Sequence, residues 1–146
     1  MLVRLLYASR SKSPIDDKTI QNILDYARSH NEEAGITGVL CVYESGDTYL
    51  QVLEGSREQV NALYGTIAAD DRHTNVTLLH YGEIDQRRFS SWRMGNVNLS
   101  KVNRSTILRF SPTSTLDPFK LRGEAALKLL EELVDTAAIS SQNDGH

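Results

Sequence analysis

The chain has 146 residues, a formal net charge of −3, 40% apolar and 24% charged residues, and a single cysteine. That length supports one hydrophobic core without disulfides or a structural metal, and the composition is that of an ordinary folded chain, which sets aside disorder and a membrane class. The negative charge argues against a general nucleic-acid binder, which needs basic patches to neutralise phosphates. The first apolar stretch, Leu2 to Ala8, is too short for a membrane span or a secretory leader. A lone Cys41 forms no internal disulfide, so a cytoplasmic location is expected, with the thiol as a small buried hydrophobe. His30, His73, His80 and His146 show no ligand spacing, and no metal is expected.

Leu2 to Ser9 reads as a strand carrying Val3, Leu5 and Tyr7 on one face and Leu2, Leu6 and Ala8 on the other, with Arg4 as the exception to burial. Ser13-Pro14 opens a turn, and Asp16 and Asp17 suit a helix start. In that helix Ile20, Ile23, Leu24 and Ala27 recur at helical period, and four more residues lead to Asn31, which therefore points where the core points. Gly35 suits the left-handed position that ends the helix. Ile36 to Tyr43 is β-branched and apolar, Ser45-Gly46-Asp47 is a hairpin signal, and Tyr49 to Leu53 is the return strand. Tyr49, Gln51 and Leu53 share a face of that strand, so an amide sits among residues that seek burial.

Ser56 with Gln59 makes a capping-box pattern for a second helix, striped by Val60, Leu63, Tyr64 and Ile67. The polar loop Asp70 to Asn75 precedes a strand over Val76 to Tyr81, and a short strand is expected near Met94 to Val97. This order is the α+β, ferredoxin-like βαββαβ plan with an added strand, two helices packing one face of the sheet, and C-terminal helices. Residues 1–99 form the main domain and 100–139 a helical extension, and 140–146 read as a disordered polar tail. Within the extension, Ser111 to Thr115 is linker-like, and Asp117-Pro118 gives an N-cap with proline at the first helical position. The helix that follows carries Ala126, Leu129, Leu130, Leu133 and Val134 on one side. That stripe either folds back on the open sheet face or makes an interface with another chain.

In the ferredoxin-like plan the first and third strands are central neighbours, so Tyr7 and Gln51 lie side by side, next to the inward face of the first helix with Asn31. A buried amide without partners costs on the order of 1–3 kcal/mol. Two amides converging on one place therefore suggest a flat, hydrogen-bonding ligand. Taken singly, each residue has a plainer reading: Tyr7 as core packing, Asn31 as a helix-end residue, Gln51 as a surface residue in another register.

Tyr7, Asn31 with Gly35-Ile36-Thr37-Gly38, Gln51-Val52-Leu53-Glu54-Gly55, Asp70 with Arg72-His73, and Trp92-Arg93-Met94-Gly95 follow one another in the order and spacing of the BLUF family, which this chain resembles. The resemblance implies a bacterial blue-light photoreceptor that binds FAD noncovalently, with FMN or riboflavin as substitutes, its ring between the two helices. It implies that light moves an electron and a proton from Tyr7 to the flavin, and that Gln51 rearranges, because an amide has a donor end and an acceptor end. Asn31 would hold the carbonyl edge of the ring; Ile23, Ala27, His30 and Ile36 would line it; Asp70, Arg72 and His73 would lie toward the ribityl and phosphate groups. For His30 an exposed helix end, and for Arg72 and His73 an ordinary polar loop, are the alternatives. Trp92 and Met94, two apart and expected on one face, carry signalling in this family, or else are a half-buried aromatic and a gap-filling methionine. Tyr49, where relatives usually have phenylalanine, is either an alternative electron path or a peripheral hydroxyl.

No second catalytic domain fits in residues 100–146, so the chain is not expected to be an enzyme. Output would pass to a downstream protein or through a homodimer or higher homo-oligomer. Two alternatives compete: a flavin-free ferredoxin-like regulatory module, and an acylphosphatase-like hydrolase using Ser9-Arg10-Ser11-Lys12-Ser13 as an anion cradle. The second lacks a glycine-rich loop and a nucleophile with its base.

Overall fold

The computed structural model describes residues 1–43 and 46–136. Strand β1 spans Leu2–Ser11, running past the expected Ser9 because Arg10 and Ser11 pair with Thr74 and His73. Helix α1 covers Asp17–Ala34: the Asp16 side chain accepts the Thr19 N–H at 2.8 Å, and Gly35 closes the helix with φ at 68°, where a side chain would be strained. Strands β2 (Thr37–Val42) and β3 (Thr48–Ser56) form the hairpin. Helix α2 is Arg57–Ala69, and the Ser56 side chain accepts the Gln59 N–H as the capping pattern requires. Strand β4 is His73–Ile84, so part of the expected polar loop joins the sheet, and β5 is Gly95–Asn98. The tail assigned to 140–146 lies outside the described residues, as do Ser45 of the hairpin turn and the end of the 100–139 extension.

The sheet runs β4-β1-β3-β2-β5, antiparallel except for the β2/β5 pair. It is the ferredoxin-like order with one strand added, and β1 and β3 are neighbours as that plan demands. Each sheet face carries its own core, as strand alternation dictates. On the first face Val3, Leu5, Leu40 and Leu53 lie with Ile20 and Leu24 of α1 and Val60 of α2. On the second, Leu6, Ala8, Val39, Cys41, Leu50 and Val52 lie under Ala126, Leu129, Leu130 and Leu133.

Those last four belong to α4 (Gly123–Asp135), whose apolar stripe folds back on the sheet. Burying each leucine is worth about 1.5–3 kcal/mol. The route into this helix differs from the expected one. Asp117 caps only a 3-10 turn over Pro118–Lys120; Leu121 and Arg122 are then extended, and the helix restarts at Gly123. The restart is imposed by docking, since a Cβ at Gly123 would sit 2.0 Å from the Leu79 carbonyl oxygen on β4. The linker-like region is anchored as well: a short α3 (Arg104–Leu108) buries Ile107, and the Leu116 N–H donates to the Tyr43 hydroxyl at 2.6 Å.

Arg4, the misfit of β1, faces Glu54 across the β1/β3 pair. Glu54 is fully buried and accepts from Arg4 Nε at 2.8 Å, the Arg88 N–H at 3.0 Å and the Phe89 N–H at 2.7 Å. The segment between β4 and β5 is thereby fastened to the sheet centre. Among the described residues no helix is long and apolar enough to cross a membrane.

Candidate functional site

Tyr7 and Gln51 are direct partners in the β1/β3 register, and both point into the face that carries α1 and α2. Tyr7 is 3% exposed, Gln51 6%, Asn31 2%, and Arg28, one turn before Asn31, 4%. The Tyr7 hydroxyl donates to Gln51 Oε1, which fixes the amide so that Nε2 points to Met94 Sδ, 3.3 Å away. A thioether is a weak acceptor, so the donor end of this buried amide is poorly matched by the protein alone. Burial is the main reason that the Tyr7 phenol ionises only well above the usual tyrosine range, with Tyr49 and Tyr64 adding to it. At neutral pH Tyr7 therefore keeps its proton.

Asn31 donates through Nδ2 to the Arg93 carbonyl at 2.9 Å. Ile23 and Ala27 of α1 and Leu63, Tyr64 and Ile67 of α2 are only half-buried around this core, with the Tyr64 ring 5.6 Å from that of Tyr7. Ile36 is buried in the same cluster. A flat ring with an amide-like edge suits this donor set: apolar walls on two helices, and two amides able to give and to accept.

Farther along the same face, Ser9 pairs with Tyr49. Ser9 Oγ is 3.3 Å from His73 Nδ1, and the His73 ring tilts against Tyr49 at 5.2 Å. Burial holds the His73 imidazole below its ordinary value, so it is neutral at pH 7. Asp70 accepts from the Arg72 guanidinium and, at 2.9 Å, from its backbone N–H, which pulls the carboxyl down to about 2. Ile23, Ala27 and Ile36 thus gather in the core that holds Tyr7, His73 lies farther along the same face against Ser9 and Tyr49, and Asp70 and Arg72 engage one another.

Two expectations fail on geometry. His30 is exposed, stacked on Tyr26 with ring centroids 3.8 Å apart and Nδ1 3.0 Å from the Tyr26 carbonyl, so it faces away from Tyr7 and Gln51. Trp92 and Met94 do not share a face: Met94 is fully buried in the first core, and Trp92 packs against the second. Strand alternation does not govern them, because β5 begins only at Gly95 and the preceding segment is irregular. Arg28, which sequence reasoning passed over, donates from Nε and Nη2 to the Met94 carbonyl at 3.3 and 3.1 Å. The signal was available, since Arg28 falls one turn after Leu24 on the inward stripe; its charge disguised it.

The proposed anion cradle does not form. Residues up to Ser11 are strand, and Arg10 lies over the Phe119 ring at 4.6 Å and pairs with Asp47 at 3.3 Å. Two open cavities, of ≈570 Å³ beside Met1 and Asp85 and ≈460 Å³ beside Arg10 and Asp117, lie away from the buried amides. Convergent polar chemistry rather than volume identifies the site. Among the described residues no group of His, Cys, Asp and Glu is arranged to hold a metal.

Residues 2–95 match the family model BLUF, described as sensors of blue-light using FAD. The chain is 31% identical over 109 residues to the blue light- and temperature-regulated antirepressor BluF of Escherichia coli (strain K12), which covers 75% of this chain but only 27% of that protein. It is similar in structure to the photo-activated state of BlsA, with a TM-score of 0.77 and 31% identity over 99% of both chains. It is also similar to Klebsiella pneumoniae BlrP1 with FMN and cyclic diGMP, with a TM-score of 0.66, 30% identity, and coverage of 94% of this chain and 35% of that one.

Proposed function

The chain belongs to the BLUF family of blue-light flavin sensors, and from that premise we propose that Tyr7 and Gln51 are its photoactive pair and FAD its resident flavin. When bound, the flavin would supply the blue-light chromophore and an acceptor for an electron and a proton. Tyr7 supplies both, from a phenol that burial keeps protonated. Gln51, released from the Tyr7 hydroxyl while that proton is away, rotates or tautomerises and offers its donor end to the ring edge instead of to Met94. Tyr7 would end with its electron and proton restored, and the changed Gln51 amide would remain as the signal. Asn31 would hold the ring edge with its amide, Ile23, Ala27 and Ile36 would exclude water, and Asp70, Arg72 and His73 would meet the ribityl and phosphate groups, with FMN or riboflavin as substitutes for FAD.

The observation that carries this reading is the hydrogen-bonded row Tyr7, Gln51, Met94, buried on the face that α1 and α2 cover. The signal passes to a downstream protein, or to a second copy of this chain, in the cytoplasm. The experiment is illumination of the purified, yellow protein and of Tyr7→Phe. The variant should keep its flavin and lose the photocycle; a normal cycle in Tyr7→Phe would remove tyrosine from the mechanism.

A further inference from the structure

Arg28 is a cation buried to 4% exposure, and what it binds is a backbone carbonyl. Burying a guanidinium carries a desolvation cost that only good hydrogen bonds or an anion offset. Here the partner is the Met94 carbonyl, gripped by Nε and Nη2 together at 3.3 and 3.1 Å. One turn on, Asn31 Nδ2 holds the Arg93 carbonyl at 2.9 Å, and Glu32 pairs with Arg93 Nη1 at 2.9 Å. The C-terminal half of α1 thus holds two consecutive residues of the irregular segment that enters β5.

The Met94 side chain ends 3.3 Å from Gln51 Nε2. A thioether attracts an amide N–H only weakly, so that contact cannot keep Met94 in place. The charge-assisted pair of bonds to its carbonyl is the stronger hold. We propose that Arg28 is a positioning residue, which keeps Met94 beneath Gln51 and sets how readily the Trp92–Met94 segment leaves that arrangement. Its consequence in light rests on the reading of Gln51 as the amide that moves, but the placement of Met94 does not.

The sequence supplies unusually clean reporters, with one tryptophan and two methionines. In the full flavin-loaded chain kept in the dark, methionine-methyl and indole signals in nuclear magnetic resonance report Met94, Met1 and Trp92 separately. Arg28→Gln removes the charge and the two-pronged grip. The Met94 methyl should then move toward the signal of exposed Met1, and the Trp92 indole should divide between two forms, their ratio shifted at least about tenfold from the parent. Arg28→Lys, which retains a charged donor, should give an intermediate shift, and after illumination the return to the dark state should change in the same order. If Arg28→Gln lowers thermal stability yet leaves both signals unmoved, Arg28 is merely structural and the inference is overturned. Should that variant not fold, Arg28→Lys decides, and an unmoved Met94 methyl there overturns it equally. The dark signals do not depend on photochemistry, so a protein that failed to respond to light would sink the photoreceptor mechanism and leave this test standing.

Discussion

Replacing Glu54 by glutamine removes one proton acceptor's worth of charge and keeps the side chain's shape, at the most heavily bonded carboxylate of the sheet. One of its oxygens, Oε2, takes Arg4 Nε at 2.8 Å and the Arg88 N–H at 3.0 Å, and the other, Oε1, takes the Phe89 N–H at 2.7 Å. A glutamine amide has only one oxygen. If it replaces Oε2, its NH2 meets the Phe89 N–H, donor against donor; if it replaces Oε1, the NH2 meets Arg4 and Arg88. Either way at least one buried donor loses its partner, at about 1–3 kcal/mol, and Arg4, whose side chain is 14% exposed, loses its buried anion. Removing one partner of such a pair costs about 3–5 kcal/mol, so Glu54→Gln should destabilise by about 3 kcal/mol, a melting shift of roughly 6–12 °C in a chain of this size. Thermal and urea unfolding of Glu54→Gln, Arg4→Met and the double variant Arg4→Met/Glu54→Gln make the assay. The double variant should cost at least about 2 kcal/mol less than the two single changes together, because it removes both charges at once. Additive losses, or a Glu54→Gln loss under about 0.5 kcal/mol, would refute the reasoning that Glu54 holds Arg4 and the Phe89 segment.

Two further outcomes follow from the site and from the cap. His73 is held below its ordinary value of 6.5, chiefly by burial. Above that value both folded and unfolded chains are neutral at this position; as the pH falls the unfolded chain takes the proton first, so stability is lost through and below 6.5. Melting temperature should therefore drop more steeply between about pH 7.5 and about pH 5.5 in the parent than in His73→Asn, and equal slopes would contradict the assignment. Gly123→Ala places a methyl 2.0 Å from the Leu79 carbonyl oxygen. It should cost about 1–3 kcal/mol and speed proteolysis at α4, whereas unchanged stability would mean that α4 does not depend on this contact.

The parts of the fold that the sequence made legible are those ruled by period. Alternation in Leu2–Ser9 and Tyr49–Leu53 put Tyr7 and Gln51 on one face, and the helical stripe carried Asn31 inward; register then made Tyr7 and Gln51 direct partners. What escaped is where period does not apply. Trp92 and Met94 sit in irregular backbone held by tertiary hydrogen bonds to α1, so their two-residue spacing said nothing about faces. Arg28 escaped because a charged residue on an inward stripe reads as surface until its carbonyl partner, far away in the chain, is seen. The break at Leu121 and Arg122 could not be read locally either, since it comes from docking Gly123 on Leu79. His30 shows the opposite error: its position beside Asn31 resembled a binding residue, but adjacent residues on a helix point about 100° apart, and it stacks outward on Tyr26.

The most direct test of the photoreceptor mechanism is the light-minus-dark absorption spectrum of the purified flavin-loaded chain beside that of Gln51→Leu. The parent should shift reversibly to the red under blue light and relax in the dark, and Gln51→Leu should bind flavin yet lose that shift. Bound flavin with no reversible red shift in the parent, or a normal shift in Gln51→Leu, would contradict the role given to Gln51.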